Sequence, residues 1–269
     1  MTNKKNVEAE KPSPAPAPAP AAPVSRILNG LNALRRDNPW PEFIYGEIEP
    51  FFLPLDGGRR AGCEWGGGRE LIIDTIRERK VELMVEVGCF LCGSTLQWLR
   101  ASDKLTVIGV DPWDSNWAAY IERLAVDPLQ MRTVFHLTDE QIAAIVANLR
   151  RHGNFAIALN NVRLFKNRFI PVRQRSPDAL EYLHAREINP QMIYIDAGKN
   201  REDLDIAHKL FSQAVLCGDD WLWPDETGVL RMQEHVKLFA KENNLEIRNQ
   251  RQSWVLLPSK KPETPLAGN

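Results

Sequence analysis

The sequence predicts an α/β protein: a doubly wound, mostly parallel seven-stranded sheet with helices on both faces, closed by an antiparallel terminal strand pair. Three observations predict it. Short apolar runs such as "LMVEVG", "LTVIGVD" and "QMIYIDA" alternate with amphipathic stretches from residue 69 onward, the pattern of strands joined by crossover helices. The first run breaks over Gly88 and Gly93 and restarts at Ser94, which reads as strand, tight turn and helix start. The last two runs, in "LEIRNQRQSWVLLP", are separated by a few polar residues only, too few for a crossover.

Each element follows from its local pattern. Residues 1–25, with their "PAPAPAP" repeat, lack aromatics and cannot bury enough surface to order themselves, so an extended spacer is expected. "SRILNGLNALRRDN" places Ile27, Leu28, Leu31 and Leu34 at helical spacing, and the Pro-, Gly- and aromatic-rich stretch to residue 68 completes a helical and irregular cap over 26–68. The main domain is expected over 69–258. It opens with the amphipathic helix "RELIIDTIRERK", the strand "LMVEVG" and a helix from Ser94. "LTVIGVD" is the second strand, followed by helical sequence through "WAAYIERLAV" and "TDEQIAAIVANLRRHG", where Thr138 and Gln141 form a capping box. "RFIPVRQ" is the third strand, and "SPDALEYLHAR" a helix with Pro177 in its first turn. "QMIYIDA", the helix "REDLDIAHKLFSQ", the strand "AVLCGDDW" and the helix "GVLRMQEHVKLFAKENN" lead to the closing pair, and residues 259–269 form a second tail.

Composition narrows the classes of function. Hydrophobic residues at 43% and charged residues at 26% describe an ordinary globular protein, and a net charge of −1 gives no field favouring nucleic acid or an acidic membrane. No apolar run approaches the ~18 residues needed to cross a bilayer. The N-terminus has no apolar core of a secretory signal, and Cys63, Cys89, Cys92 and Cys217 are too few for a disulfide framework, so a cytoplasmic enzyme is expected. One sequence leaves self-association open.

In an open α/β sheet, ligands bind beyond the carboxyl ends of the strands. The turn "EVGCFLCGST" sits there, but it is neither G-x-G-x-x-G nor a phosphate loop, which disfavours a dinucleotide or a nucleoside triphosphate. Glu86 is expected to face donors or positive charge. Asp111 ends the second strand about 20 positions after Gly88, where an acidic residue takes up ribose hydroxyls. Singly these signals are weak, since glycine turns are common and an Asp at a strand end is often a helix cap. Two carboxylates with a ribose contact and no phosphate cradle suit an adenosyl amino acid carrying a cationic sulfonium.

Over residues 70–258 the sequence resembles the class I S-adenosylmethionine-dependent methyltransferases, whose fold is Rossmann-like. The resemblance is carried by "VEVGCFLCGST", "VIGVDPW", "RQRSPDA", "IYIDAGK" and "CGDDW", and by the antiparallel end pair. It implies that Glu86, Gly88 and Gly93 border the methionine moiety, that Phe90 and Ser94 also contact the cofactor, that Asp111 holds the ribose with Trp113 packed nearby, and that Arg175 and Ser176 lie by the adenine. Cys89 and Phe90 stand where the family often has a third glycine, which fits a subgroup with bulkier loops.

Asp196 ends the fourth strand, and Asp219 and Asp220 end the fifth. Three carboxylates that close repel unless a cation or protons intervene, and hard oxygen ligands suit magnesium or calcium. The pattern resembles the magnesium-dependent O-methyltransferases of the catechol and macrolide-sugar types. In the catechol type a lysine three residues after the first Asp is the general base, and "Asp196-Ala-Gly-Lys199" reproduces that spacing. The implied chemistry is coherent. A sulfonium is already a strong methyl donor, so the enzyme aligns the acceptor oxygen, and a divalent cation lowers that oxygen's pKa. Lys199, or failing it Asp196 or water, removes the proton. The expected acceptor is a hydroxyl on a small molecule or glycan. Two alternatives are a metal-independent transfer to another acceptor and a non-catalytic binding protein of the same fold.

Other features read as structure. Cys89-x-x-Cys92 falls where small apolar groups are wanted, and His184 and His208 fall on predicted helices. Trp221 and Trp223 suit an acceptor wall and a packed lid equally.

Overall fold

The computed structural model describes residues 24–41, 69–126, 138–225 and 227–259. Most of the expected tails, and the irregular part of the expected cap from residue 42 to 68, lie outside the described residues. The first six helices are α1 (Val24–Asp37), α2 (Arg69–Glu78), α3 (Gly93–Ala101), α4 (Trp117–Val126), α5 (Asp139–Asn161) and α6 (Asp178–Ala185). They are followed by α7 (Glu202–Leu210) and α8 (Arg231–Glu242).

The strands are β1 (Leu83–Val87), β2 (Thr106–Val110), β3 (Phe169–Val172), β4 (Met192–Ile195), β5 (Val215–Gly218), β6 (Leu245–Gln250) and β7 (Ser253–Pro258). They form one seven-stranded sheet in the order β3-β2-β1-β4-β5-β7-β6. The first five are mutually parallel, while β7 runs antiparallel to both β5 and β6. This is the predicted arrangement, a mostly parallel sheet closed by an antiparallel terminal pair. Strand order reverses between β1 and β4, so the switch point lies at the turn after β1.

β1 is buried at every position, which is why its sequence is apolar at every position but Glu86 rather than alternating. Its residues nevertheless divide between two cores. Val85 and Val87, with Ile193 and Ile195, meet Leu31 and Leu34 of α1, Leu180 and Leu183 of α6, and Val236 and Phe239 of α8. Met84, with Tyr194 and Cys217, meets Ile72 and Ile76 of α2 and Trp98 and Leu99 of α3. A third, smaller cluster joins α4 and α5 through Ile121, Ile145 and Leu149.

α1 confirms its predicted spacing at Leu31 and Leu34. Arg35 donates to the Asn167 carbonyl just before β3, and Arg186 before β4 is paired with Asp37. The helical part of the expected cap therefore docks at the amino-terminal edge of the sheet, opposite the carboxyl ends.

The capping box at Thr138 and Gln141 is present. The helix does not stop at Gly153, however, as its sequence suggests. Gly153 takes φ 79, kinks the chain, and the helix resumes to Asn161 because Ala156, Ile157, Ala158 and Leu159 find apolar cover.

Candidate functional site

Parallel strands put all their following turns on one edge, and here those turns hold almost every polar residue singled out above. The turn after β1 is tight for a specific reason. Gly88 has φ 89, and a methyl group there would overlap the Asp196 backbone carbonyl at the end of β4. We expect Gly88→Ala to combine left-handed strain with that clash and to lower stability by roughly 3 kcal/mol or more, read by chemical denaturation.

Strain gathers along this edge. Phe90, Cys92, Trp113 and Asp220 are non-glycine residues with φ of 50, 61, 50 and 64, conformations that persist only where surrounding contacts enforce them. Those contacts are visible. Asp111 Oδ2 accepts from the amides of Cys89 and Phe90, and its Oδ1 accepts from Trp113 N. Trp113 Nε1 donates to the Phe90 carbonyl at 2.7 Å. Asn154 and Asn161, on the resumed part of α5, donate to the Ser115 and Leu91 carbonyls. Asp111 therefore staples the turns after β1 and β2 together. Burial nonetheless raises its pKa against the amides of Trp113, Phe90 and Cys89. A carboxylate offers about four lone-pair sites, so three amides leave room for one further donor such as a ribose hydroxyl.

Glu86 does meet donors, and they belong to the chain itself. It is fully buried, with Oε1 accepting from Ser94 Oγ at 2.5 Å and Trp98 Nε1 at 3.1 Å, while Oε2 accepts from Thr95 Oγ1. Burial pushes its pKa up to about 7, against the pull of those three bonds and of Arg69. Glu86 and Ser94 thus lock α3 onto β1, and Gly93 is the first residue of that helix. Trp113 is buried and packs on Phe155 with ring centroids 5.0 Å apart, so it supports the rim as core. Arg175 is exposed, with its Nη2 donating to both carboxylate oxygens of Asp114, and the Ser176 hydroxyl donates to Asp203.

At the other side of the switch point stand Asp196, Asp219 and Asp220, on neighbouring strand ends as predicted. They do not stand alone. Arg69, the first residue of α2, is 5% exposed and lies 3.9 Å from Asp219, with its Nε and Nη1 buried and unpartnered. Burial opposes its charge, but Tyr194, Asp219, Asp196 and Glu86 together more than offset it and raise its pKa. Lys199 is 3.7 Å from Asp220 and donates to the carbonyls of Trp223 and Pro224 at 3.3 Å each. Its ammonium also lies over the Trp223 ring, 5.3 Å from the centroid.

Burial raises the pKa of Asp196 well above the usual carboxylate range, reinforced by Asp219 and Asp220. Burial lifts Asp219 to about 7 despite Arg69, and lifts Asp220 despite Lys199. Among the described residues, no three His, Cys, Asp or Glu side chains are gathered as a ligand set for a metal ion. The expected magnesium triad is thus not gathered as a ligand set, and a cation of the chain stands against each of two of its carboxylates, Arg69 against Asp219 and Lys199 against Asp220. The donor set does not fit a divalent ion.

The residues read as structure are structure. Cys89 and Cys92 are free, buried thiols, and burial pushes Cys89 well above the usual thiol range. His184 and His208 pack edge-on against Phe211 and Phe239. Trp221 is buried in the core, which settles it as packing. Sequence reasoning missed Arg69, Asn154, Asn161 and Tyr194. Tyr194 lies within "IYIDAGK" but reads there as an apolar strand position, the other three lie in no motif, and the only signal for Arg69 is its position at the start of a helix leading into the first strand.

No family model matches this chain, and no curated protein does. Solved structures resemble it distantly. An O-methyltransferase from Bacillus cereus in complex with SAH is 14% identical, covering 88% of this chain and 92% of that one with a TM-score of 0.45. The O-methyltransferase TomG from Streptomyces achromogenes, in complex with SAM, is 17% identical, covering 71% and 79% with a TM-score of 0.44. A precorrin-6Y C5,15-methyltransferase from Geobacter metallireducens is 10% identical, covering 71% and 87% with a TM-score of 0.40. Likeness at this level carries no argument about activity, which rests on the site's own residues.

Proposed function

We propose that this chain is an S-adenosylmethionine-dependent methyltransferase that transfers to a hydroxyl oxygen of a small molecule or glycan. The observation that carries the reading is the make-up of the carboxyl edge. The turns after β2, β4 and β5 contribute Asp111, Asp196, Asp219 and Asp220, and the turn after β1 carries no phosphate cradle. An acidic rim disfavours phosphates and suits a cationic ligand with hydroxyl donors. When bound, S-adenosylmethionine supplies an electrophilic methyl group on a sulfonium.

The chain's own residues then have three tasks. Asp111 has one acceptor position left for a ribose hydroxyl, and the strained turn it staples holds the cofactor-facing backbone of Gly88 and Phe90 in place. Gly93 and Ser94 bring the start of α3 to the same turn. Arg175 and Ser176, fixed by Asp114 and Asp203, flank the end of β3 where an adenine would lie.

The proton of the acceptor falls to the carboxylates. Lys199 donates to two carbonyls and stands 3.7 Å from Asp220, so its ammonium acts as a tether. Asp219, lifted by burial to about 7, is suited to accept a proton near neutral pH, and Asp196 beside it is likewise raised by burial. No helix among the described residues is long and apolar enough to cross a membrane.

Calorimetric titration with S-adenosylhomocysteine, NAD+ and ATP tests the cofactor. Saturable one-site binding of the first alone is expected. Binding of NAD+ or ATP in its place, or none of the three, overturns the reading. Labelled methyl transfer to a panel of catechols and sugars then separates an enzyme from a binding protein of the same fold.

A further inference from the structure

We infer that Arg69 and Lys199 are built-in counter-cations that occupy the electrostatic role of a divalent ion at the Asp196, Asp219 and Asp220 rim, so that this site takes no magnesium and works without it. The inference rests on the proposed function for what the rim does, while its geometry stands independently.

Two cations of different kinds are arranged against two neighbouring carboxylates. Arg69 reaches Asp219 from α2, with a side chain 6% exposed, and Lys199 reaches Asp220 from the loop after β4, with a side chain 22% exposed. A magnesium ion needs oxygen ligands at about 2.0–2.1 Å in near-octahedral geometry and keeps several waters. Bringing that charge to Asp219 would set it against a guanidinium that is itself buried and cannot turn out to solvent. Arg69 keeps two unpartnered nitrogens in place, Nε and Nη1, beside a Tyr194 hydroxyl that is also buried and unpartnered. A guanidinium is tolerated under such conditions when its charge is needed by what surrounds it, and Asp219 is within reach.

The position of Arg69 is also secured from behind. α2 packs Ile72 and Ile76 into the core beneath β1, so its first residue cannot swing away from the edge without lifting the helix. Lys199 is secured by the carbonyls of Trp223 and Pro224 and by the Trp223 ring. Both cations are therefore fixed parts of the rim. A mobile side chain that a metal could displace would not be held on so many sides.

The test is calorimetric titration of magnesium chloride into the full chain, with and without S-adenosylhomocysteine, beside the same titration of Arg69→Met and Arg69→Met/Asp219→Asn. Wild type is expected to show no saturable heat at millimolar magnesium. Arg69→Met is expected to gain one-site binding, which the added Asp219→Asn removes. Saturable one-site magnesium binding by wild type overturns the inference, as does a folded Arg69→Met that binds none. If Arg69→Met fails to fold, Lys199→Met replaces it, since that side chain is partly exposed, and the wild-type arm decides in either case. Cofactor loading is read in the same experiment. A chain that binds neither magnesium nor S-adenosylhomocysteine would sink the methyltransferase reading while leaving the counter-cation inference standing.

Discussion

Glu86→Ala is expected to lower stability by roughly 3–5 kcal/mol, enough to unfold many domains of this size. The carboxylate is the single acceptor tying Ser94, Thr95 and Trp98 of α3 to β1, and its removal leaves those donors without their partner at a site closed to water. Glu86→Gln keeps the shape and an acceptor oxygen, and the two hydroxyls can rotate to accept from its amide, so a much smaller loss is expected. The pair of variants also reports on charge. With a folded-state pKa of about 7 against 4.5 unfolded, the folded chain holds a proton there that the unfolded chain has released. A raised folded pKa gives stability that is fully present below pH 4.5 and is lost as pH rises through 7. Glu86 alone should therefore weaken the fold by about 3 kcal/mol between those limits. Urea denaturation at pH 5 and pH 8 measures it, and Glu86→Gln should remove that share of the slope. A Glu86→Gln slope equal to wild type would show that Glu86 is ionised in the folded chain throughout.

What the sequence disclosed, and what it hid, divides along a physical line. Strands buried on both faces are apolar at nearly every position, so "LMVEV", "TVIGV" and "MIYI" announce themselves, and the short polar link before "SWVLLP" fixes its antiparallel sense. The order of turns along the carboxyl edge follows from that, which is why Asp111, Asp196, Asp219 and Asp220 were all found. The partners of those residues were not legible. A strand apolar on both faces does not say which neighbour its one charged residue meets, so Glu86 reads as looking outward to a ligand when it looks inward to α3. The depth of Arg69 is set by how α2 lies on the sheet, and a single charged residue opening an amphipathic helix usually remains in solvent. The same holds for Gly153, where local chemistry says stop and the apolar segment after it continues the helix once a core is present to receive it. Asn154 and Asn161 gain their roles only from that continuation.

The second large effect is expected at Asp196, whose replacement by Asn should reduce methyl transfer by roughly 10²–10⁴-fold with cofactor binding retained. The fall measures the loss of the proton acceptor. A carboxylate must be ionised to act as base, so wild-type activity should climb as pH rises through the raised pKa of the coupled Asp196 and Asp219. That acid limb is a signature that a purely structural residue would not move. Asp219→Asn separates the members of the pair. It takes away the like charge that raises Asp196 most and leaves Arg69 to act on Asp196 alone, and both changes favour ionisation of Asp196. The acid limb should then shift to lower pH with the plateau rate largely kept. The profile is measured with labelled methyl donor and whichever hydroxyl acceptor the screen returns. If Asp196→Asn keeps its rate while Asp219→Asn loses it, the base is Asp219, and the guanidinium 3.9 Å away becomes the group that sets its pKa. If both variants keep the wild-type rate and profile, proton removal has passed to solvent, and the reaction depends on alignment of the acceptor with the sulfonium alone.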